Sequence, residues 1–363
     1  MLEANPKTNI RIATVYSQKS IRRLYKMSTI RWFRMSEALA NKGYSVDMIV
    51  NNSGKIKHLS PTLRLMPYDK VRWAHYDIIK TLFHEGFECL MKEGVSNHRF
   101  IISKLGSVVS HKEHSGVHFH GRARKKLYDI QTEISYKSKY VSLLTEASRD
   151  LWMEEFGRRD NVLLVPTGVD ADIPLPSNNP YRKFKEKIAV FIGNIYSSKK
   201  QRDVNLRWQR RLNMIGKLLK KKGIRLCLVV FGSADRLDAS SVTYIGPIDN
   251  KFMWDYQYFA DAGLVLAQGA EQHNESSKIY YYLRTGLPVI SDNSIPNNNL
   301  ISKTGLGFIA GYGNDKEFAD LVDKAVCIDW GQKRNEAIRY ILNNHTWEKR
   351  VEIYDKLINH VAY

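Results

Sequence analysis

Short apolar segments alternate with longer amphipathic segments along most of this chain. The segment Ile10–Tyr16 predicts a strand, residues 28–42 predict an amphipathic helix that Gly43 ends, and Val46–Val50 predicts the next strand. Strand, helix and strand in this order form the opening unit of a doubly wound parallel sheet. No G-x-G-x-x-G motif stands at the first turn, which disfavours the dinucleotide-binding version of the fold.

The same pattern starts again after a proline-rich segment. Residues 172–180 (DIPLPSNNP) are typical of a linker. Beyond them, Ile188–Ile192 and Leu226–Phe231 predict strands on either side of a long helix. We therefore predict an α/β protein with one domain over residues 1–171 and a second domain over residues 172–345. A C-terminal helix over residues 346–363 completes the prediction.

Of all the properties of the composition, the net charge says most about possible binding partners. The formal net charge is +19, which favours anionic partners such as a nucleotide, a lipid-linked phosphate, a phospholipid surface or nucleic acid. General solubility is the simpler explanation. No apolar run approaches the ~20 residues of a membrane span, and the N-terminus lacks a signal-peptide pattern. The 3 cysteines are scattered, so we predict a cytoplasmic protein, with the inner face of the membrane as a further location.

Several stretches resemble, in order, the group 1 sugar-nucleotide-dependent glycosyltransferases of the GT-B fold. These are VPTGVD at 165–170, FIGN at 191–194, VTYIG at 242–246, KIYYYLRTGLPVIS at 278–291 and HTW at 345–347. The resemblance implies two Rossmann-like domains that face each other across a cleft, the N-terminal one on the acceptor side and the second one donor-binding, with the last helix crossing back to the first domain. It also implies a nucleotide-sugar donor as substrate, without a cofactor or a metal ion.

Residues 269–278 are dense in polar side chains and end where a helix is predicted to begin. A helix start offers N–H groups and a positive dipole to an anion, and glycosyl transfer leaves a diphosphate on which negative charge develops. An ordinary solvated helix lysine is the alternative for Lys278, and Lys200 and Arg202 are alternatives to Lys199. Together with the resemblance, the predicted donor-binding residues are Gly193, Asn194, Lys199, Gly232, Ile245, Asn274, Glu275, Ser276, Ser277, Lys278 and Tyr281.

One departure from the family pattern affects the donor site. The family has two glutamates eight positions apart around this stretch, and His273 and Tyr281 stand at these positions here. A tyrosine hydroxyl can bond a ribose hydroxyl, but it lacks the charge of a carboxylate. Glu275 is a substitute from the loop. The departure also motivates an alternative in which the protein is a non-catalytic donor-binding or scaffold relative.

Transfer to a hydroxyl also requires a group that can take its proton. Such a group is expected after a strand of the first domain. His84 follows a strand predicted over Asp77–Phe83, and Glu113 with His114 follows one predicted over Arg99–Ser103. We predict Glu113 and His114 as catalytic, with His84 as a further candidate. The alternatives for this histidine-rich loop are a merely polar loop or a metal site. The spacing H-x-x-H-x-x-x-H-x-H matches no established zinc pattern, so no metal is expected.

Basic residues near the first predicted helix are candidates for contact with the acceptor or with an anionic membrane, and a solvated basic face is the alternative. They are Arg22, Arg23, Lys26 and Arg31. The predicted function is transfer of a sugar from a nucleotide-sugar to a hydroxyl of a lipid-linked or cell-surface glycan precursor. A second hypothesis is transfer to a modified base in nucleic acid, although no recognised nucleic-acid-binding motif is present.

Overall fold

The computed structural model describes residues 10–18, 21, 27–112, 121–157, 160–195, 202–232 and 234–361. The chain divides into two compact units. The first contains the described parts of residues 1–112, 121–168 and 347–363, and the second contains the described parts of residues 169–346. That the chain forms separate domains with limits at 171 and 345 stays a prediction.

The first unit is built on an 8-stranded sheet in the described part of the chain, with the order β3-β4-β2-β1-β5-β6-β7-β8. All neighbouring strands are parallel except the short β3, which pairs antiparallel with β4. The strands are β1 (Arg11–Val15), β2 (Ser45–Val50), β3 (Lys57–His58), β4 (Leu63–Pro67), β5 (Ile78–Leu82), β6 (Ile101–Lys104), β7 (Tyr140–Leu143) and β8 (Val162–Leu164).

Helices cover both faces of this sheet. The helices are α1 (Met27–Asn41), α2 (Phe83–Lys92), α3 (Gly121–Lys137) and α4 (Glu146–Phe156). One face packs on α1 through residues such as Trp32 and Leu39, and the other packs on α2, α3 and α4 through residues such as Phe87, Ile134 and Trp152. This two-sided burial is why the central strands are apolar on both sides.

The second unit has a 6-stranded parallel sheet in its described part, with the order β11-β10-β9-β12-β13-β14. Its strands are β9 (Lys187–Ile195), β10 (Ile224–Gly232), β11 (Thr243–Tyr244), β12 (Ala262–Val265), β13 (Val289–Asp292) and β14 (Gly307–Ala310). Its helices are α5 (Arg202–Lys221), α6 (Met253–Tyr258), α7 (Ser277–Arg284), α8 (Asn299–Thr304), α9 (Asp315–Cys327) and α10 (Gly331–Asn344). No helix in the described ranges is both long enough and apolar enough to cross a membrane.

The last helix, α11 (Trp347–Val361), belongs to the first unit. Trp347, Val351, Tyr354 and Ile358 recur at helical spacing and are at most 2% exposed, because this face packs beside α1 on the first sheet. Asp355 Oδ1 also accepts a hydrogen bond from Tyr44 Oη at 2.7 Å. The predicted return of the C-terminal helix is therefore confirmed.

Two strands end at other residues than predicted, and both differences affect residues of the predicted site. The strand predicted to end at Ile192 continues to Ile195, because β10 pairs with β9 along its whole length, up to Gly232 opposite Ile195. Gly193 and Asn194 are therefore strand residues and not a loop. In the first unit, the strand predicted to include Phe83 ends at Leu82, and α2 begins at once.

Candidate active site

Both sheets reverse their winding at their first strand. In the second unit β9 lies between β10 and β12, and in the first unit β1 lies between β2 and β5. Ligands of doubly wound sheets bind beyond the carboxyl ends of the strands at such a reversal. In each unit a ligand is therefore expected near the residues that follow the first strand, β9 or β1, and its neighbouring strands.

Lys278 lies against the carboxyl-terminal part of β9. A Cβ atom at Gly193 would be 2.8 Å from Lys278 Cε and 3.2 Å from its Nζ, so the absence of a side chain at Gly193 leaves room for the lysine. The ammonium lies 5.1 Å from the ring centroid of Phe191 and 5.8 Å from that of Trp208. Lys278 as a whole is half-buried, and burial of its ammonium lowers the pKa of that group to about 8.

In the described part of the chain, the partners of the Lys278 ammonium are these two aromatic faces and no carboxylate. An aromatic face stabilises a cation without neutralising it. A positively charged group thus stands next to strand backbone that carries no side chain. This arrangement suits close approach of an anion.

The start of α7 is held from outside the helix. Ser276 precedes α7, and its side chain forms no capping hydrogen bond. Its backbone N–H donates to Asn297 Oδ1 at 2.8 Å, and Asn297 Nδ2 donates to the Ser276 carbonyl at 3.0 Å. Asn297 is only 6% exposed, so a buried amide sets both backbone groups of Ser276. The direction of the first N–H groups of α7 depends on this contact.

A buried ion network anchors the loop that leads to α7. Asp292, at the end of β13, is fully buried and accepts hydrogen bonds from Ala267 N at 2.6 Å and Arg211 Nη1 at 2.7 Å. Arg211 Nε also donates to Asp315 Oδ1 at 2.8 Å. Burial opposes the charge of Arg211, but the bonds to Asp292 and Asp315 outweigh it and raise the pKa of the guanidinium. The network fixes where the loop leaves β12.

Gly232, the last residue of β10, meets a strict steric requirement. Its φ is +118°, and a Cβ atom there would lie 1.5 Å from the carbonyl oxygen of Ile195. The ends of β9 and β10 can therefore approach each other only with glycine at this position. Asn194 pairs with Phe231 one residue before this contact.

The other predicted donor residues that the structure describes lie on several elements of the second unit. Glu275 accepts a hydrogen bond from Tyr280 Oη at 2.8 Å, and the Asn274 carbonyl accepts one from Gln272 Nε2 at 2.6 Å. Tyr281 is half-buried against the core of the second unit, and Ile245 N donates to the carbonyl of Leu228 at 2.9 Å. Ser277 is the first residue of α7, and Lys199 lies outside the described residues.

In the first unit, His84 stands at the junction between β5 and α2. Its Nδ1 lies 3.4 Å from Glu85 Oε2. The preceding Phe83 has a φ of +56° and is the one non-glycine residue with positive φ in the described ranges. A bulky residue in this conformation is strained, and such strain is concentrated at functional sites. The junction is also tight, because a Cβ atom at Gly86 would be 2.4 Å from the Val15 carbonyl oxygen.

Glu113 and His114 lie outside the described residues, but their neighbour His111 forms a pair that the sequence did not predict. His111 Nδ1 lies 2.7 Å from Glu155 Oε2, which also accepts the His111 backbone N–H at 3.1 Å. The imidazole is exposed, whereas the Glu155 side chain is 1% exposed. Burial alone would raise the pKa of Glu155, but hydrogen bonds from Ser110 and His111 outweigh it and lower the pKa. A buried carboxylate that orients an imidazole is an arrangement used by general bases.

The predicted basic contacts are placed only in part. Arg22, Arg23 and Lys26 lie outside the described residues. Arg31 is 8% exposed, and its Nη2 donates to Thr167 Oγ1. The Arg31 side chain therefore lies inside the first unit, and its contact with the acceptor or with a membrane stays a prediction. In the described ranges, no group of three or more His, Cys, Asp or Glu side chains is placed to hold a metal ion.

Solved structures that are similar to this chain over nearly its whole length include glycosyltransferases. Sucrose-phosphate synthase from Thermosynechococcus elongatus matches with a TM-score of 0.73 at 13% identity, covering 97% of this chain and 99% of that chain. WaaG, a glycosyltransferase involved in lipopolysaccharide biosynthesis, matches with a TM-score of 0.64 at 12% identity, covering 96% and 99%. The chain has their fold. The predicted GT-B fold is thereby confirmed.

A further match carries a sugar phosphate. It is an α,α-trehalose-phosphate synthase (UDP-forming) from Burkholderia xenovorans in complex with glucose-6-phosphate, with a TM-score of 0.65 at 8% identity, covering 96% of this chain and 99% of that chain. No protein-family model matches the sequence, and no curated protein matches it either. At these identities the likeness establishes the fold alone, and it does not establish the substrates or the activity.

Proposed function

We propose that the protein is a glycosyltransferase that moves a sugar from a nucleotide-sugar donor to an acceptor hydroxyl. The observation that carries this proposal is the Lys278 ammonium, which lies beside the bare backbone of Gly193 and one residue inside the start of α7. The shared fold with solved glycosyltransferases supports it.

In the proposed reaction, the bond between the sugar and the donor diphosphate breaks, and the acceptor oxygen forms the new bond to the sugar. Negative charge grows on the departing diphosphate. Lys278 and the N–H groups at the start of α7 oppose that charge at fixed positions, so little reorganisation is needed as the bond breaks. The diphosphate also favours the protonated form of Lys278, whose pKa of about 8 leaves it mostly charged near neutral pH even without a ligand.

The proton of the acceptor hydroxyl requires a base in the first unit. His84 is the predicted candidate that the structure describes, and its position in the strained junction after β5 supports this role. His111, oriented by Glu155, is a second candidate. Glu113 and His114 stay predictions.

For the acceptor we propose a lipid-linked or cell-surface glycan precursor, with the enzyme working in the cytoplasm at the inner face of the membrane. The net charge of +19 supports an anionic acceptor or surface. Flotation with anionic liposomes, compared with a DNA gel shift at two salt concentrations, separates this acceptor class from nucleic acid. Binding to DNA without binding to liposomes would favour the nucleic-acid hypothesis.

A panel of nucleotide-sugars tests the donor site directly. We expect one donor to raise the melting temperature and to be slowly hydrolysed. Lys278→Met should weaken its binding roughly 10- to 150-fold, the loss expected for a hydrogen bond to a charged group. Lys303→Met is the matched control, because Lys303 is an exposed helix lysine of the same unit.

The outcomes distinguish the hypotheses. Absence of binding by every nucleotide-sugar would refute the enzymatic proposal. Equal binding by the Lys278 variant and the Lys303 variant would refute the assignment of the site. Tight binding without hydrolysis or transfer would favour the non-catalytic relative.

A further inference from the structure

The two faces of α5 differ sharply in polarity. Trp208, Leu212, Ile215 and Leu219 recur at helical spacing and are at most 4% exposed, because they pack in the core of the second unit. From residue 204 to residue 222 the sequence holds 7 Lys and Arg residues and no Asp or Glu. The positive charge of this helix therefore lies on its sides and on its outer face, which the core does not cover.

Four of these cations lie in one row along the outer face. With about 3.6 residues per turn, positions 207, 210, 214, 217 and 221 fall within about 80° of the helix circumference, directly opposite the buried face. All five side chains are exposed, and the central one, Met214, is 51% exposed. At a rise of about 1.5 Å per residue, the row is about 21 Å long. The basic stripe consists of Arg207, Arg210, Lys217 and Lys221.

The acids on one side of α5 are bonded to other cations. Asp315 Oδ1 accepts a hydrogen bond from Arg211 Nε at 2.8 Å. Lys222 Nζ lies 3.1 Å from Asp320 Oδ1 and 3.0 Å from Asp323 Oδ2. Arg211 and Lys222 stand on the side of the helix that faces α9, so these pairs do not neutralise the basic stripe.

The opposite side of α5 offers the stripe no counter-charge either. Asp238 accepts hydrogen bonds from the hydroxyls of Ser240 and Ser241 at 2.9 and 2.6 Å, and Lys220 Nζ donates to the Ser240 carbonyl at 2.9 Å. Within the described ranges, no ion pair joins a carboxylate to any cation of the basic stripe. The charge of the stripe is therefore available to a partner outside the protein.

Met214 indicates what kind of anionic partner fits this face. An exposed thioether stands among the four cations, so the partner must offer an apolar region beside its negative charges. The surface of a bilayer does so, because its anionic headgroups lie just above an apolar boundary. Lysine and arginine can keep their charged ends at the level of the headgroups. A nucleic-acid backbone offers phosphates to the cations but no apolar layer to Met214.

We propose that the basic stripe of α5, with Met214 at its centre, docks the second unit on a bilayer surface that contains anionic phospholipids. A straight row of cations on the convex side of a helix meets a flat surface along its whole length. Each basic residue close to such a surface strengthens binding about fivefold. Since one apolar side chain takes part, the attraction is mainly electrostatic and should weaken as salt is added.

The link between this docking and glycan synthesis rests on the proposed function, whereas the docking itself does not require donor binding at Lys278. Co-sedimentation of the whole protein with vesicles tests the docking. The vesicles contain equal parts of phosphatidylglycerol and phosphatidylcholine, and pure phosphatidylcholine vesicles give the background. Lys217→Gln combined with Lys221→Gln should weaken binding to the anionic vesicles about 25-fold, because two cations are removed.

The matched control removes the same charge from elsewhere on the same unit. Lys303 and Lys333 are exposed lysines on α8 and α10. Changing both to glutamine should leave vesicle binding nearly unchanged, since charges beyond the reach of the bilayer surface are screened by salt. Glutamine is a good helix former, so both double variants are expected to fold, and circular dichroism with thermal melting verifies this.

The results separate the docking from the donor site. The best nucleotide-sugar should bind the Lys217 and Lys221 double variant as tightly as it binds the unchanged protein, so failure of the docking and failure of the donor site give different results. Equal losses of vesicle binding in the two double variants would overturn the proposal, since net charge alone would then be responsible. Absence of binding to the anionic vesicles would overturn it too.

A second arm distinguishes a bilayer from nucleic acid. Met214→Ser should weaken vesicle binding roughly threefold, because a partly buried apolar side chain is lost, and should leave binding to duplex DNA unchanged. Unaltered vesicle binding by this variant would overturn the placement of Met214 at the bilayer surface. Stripe-dependent binding to duplex DNA without binding to vesicles would overturn the assignment to lipid in favour of nucleic acid.

Discussion

Replacing Gly193 with alanine places a methyl group 2.8 Å from Lys278 Cε and 3.2 Å from its Nζ. Both distances are shorter than the normal van der Waals distance between two carbon atoms or between carbon and nitrogen, so the lysine side chain must move. Its far end is flexible and can move at little energetic cost. The fold should therefore tolerate the substitution, because Gly193 is a strand residue without positive φ. Alanine in a strand is favoured over glycine by about 0.5–1 kcal/mol, since the unfolded chain loses freedom.

Binding should respond in the opposite direction from stability. A hydrogen bond to a charged group contributes about 1.5–3 kcal/mol, which corresponds to roughly 10- to 150-fold in the dissociation constant. Displacing the Lys278 ammonium should therefore weaken donor binding by about this factor. Calorimetric titration with the best nucleotide-sugar measures the loss, and urea denaturation measures stability.

A double-mutant cycle isolates the mechanism. If Gly193→Ala acts by moving Lys278, it should have little effect in the Lys278→Met protein, whose side chain no longer carries a charge to displace. Unaltered donor binding by Gly193→Ala would refute the reasoning. So would an equal loss in both backgrounds, since it would mean that the methyl group obstructs the donor directly.

Two further predictions concern buried polar groups. Asn297→Ala removes both bonds to the Ser276 backbone and should weaken binding of a nucleoside diphosphate more than binding of the nucleoside; equal losses would show a merely structural role. For Lys80, the folded pKa of about 7 lies below its usual value of 10.5, so between these values the unfolded state binds more protons and the stability of the fold should rise with pH. Urea denaturation at several pH values should show a smaller rise in Lys80→Met, and equal slopes would contradict the lowered pKa.

Much of the fold was predictable because the signals are local. Strand and helix periods, and the glycines that end helices, lie within short windows of the sequence. The start of α7 was predictable for the same reason, since Ser276, Ser277 and Lys278 are consecutive. The extension of β9 to Ile195 was not, because it depends on pairing with β10.

The candidate site shows the same division. Gly193 and Lys278 were both singled out in the sequence, but only the folded chain shows that one makes room for the other. Asn297 carried no signal, because its role is to bond the backbone of a residue on another loop. Glu155 was missed because it meets His111 only through the packing of α4.

The sequence by itself determined two α/β units, a basic protein and a polar helix start suited to a diphosphate. These follow from the composition and from the spacing of hydrophobic and polar residues over short stretches of the chain. Tertiary structure alone decided which charges are buried. Lys80 reads as one lysine in an apolar strand, but the Tyr354 ring that faces its ammonium and the Arg31 charge that opposes its protonation come from helices at opposite ends of the chain. Desolvation depends on everything packed around a group, so no local pattern could predict it.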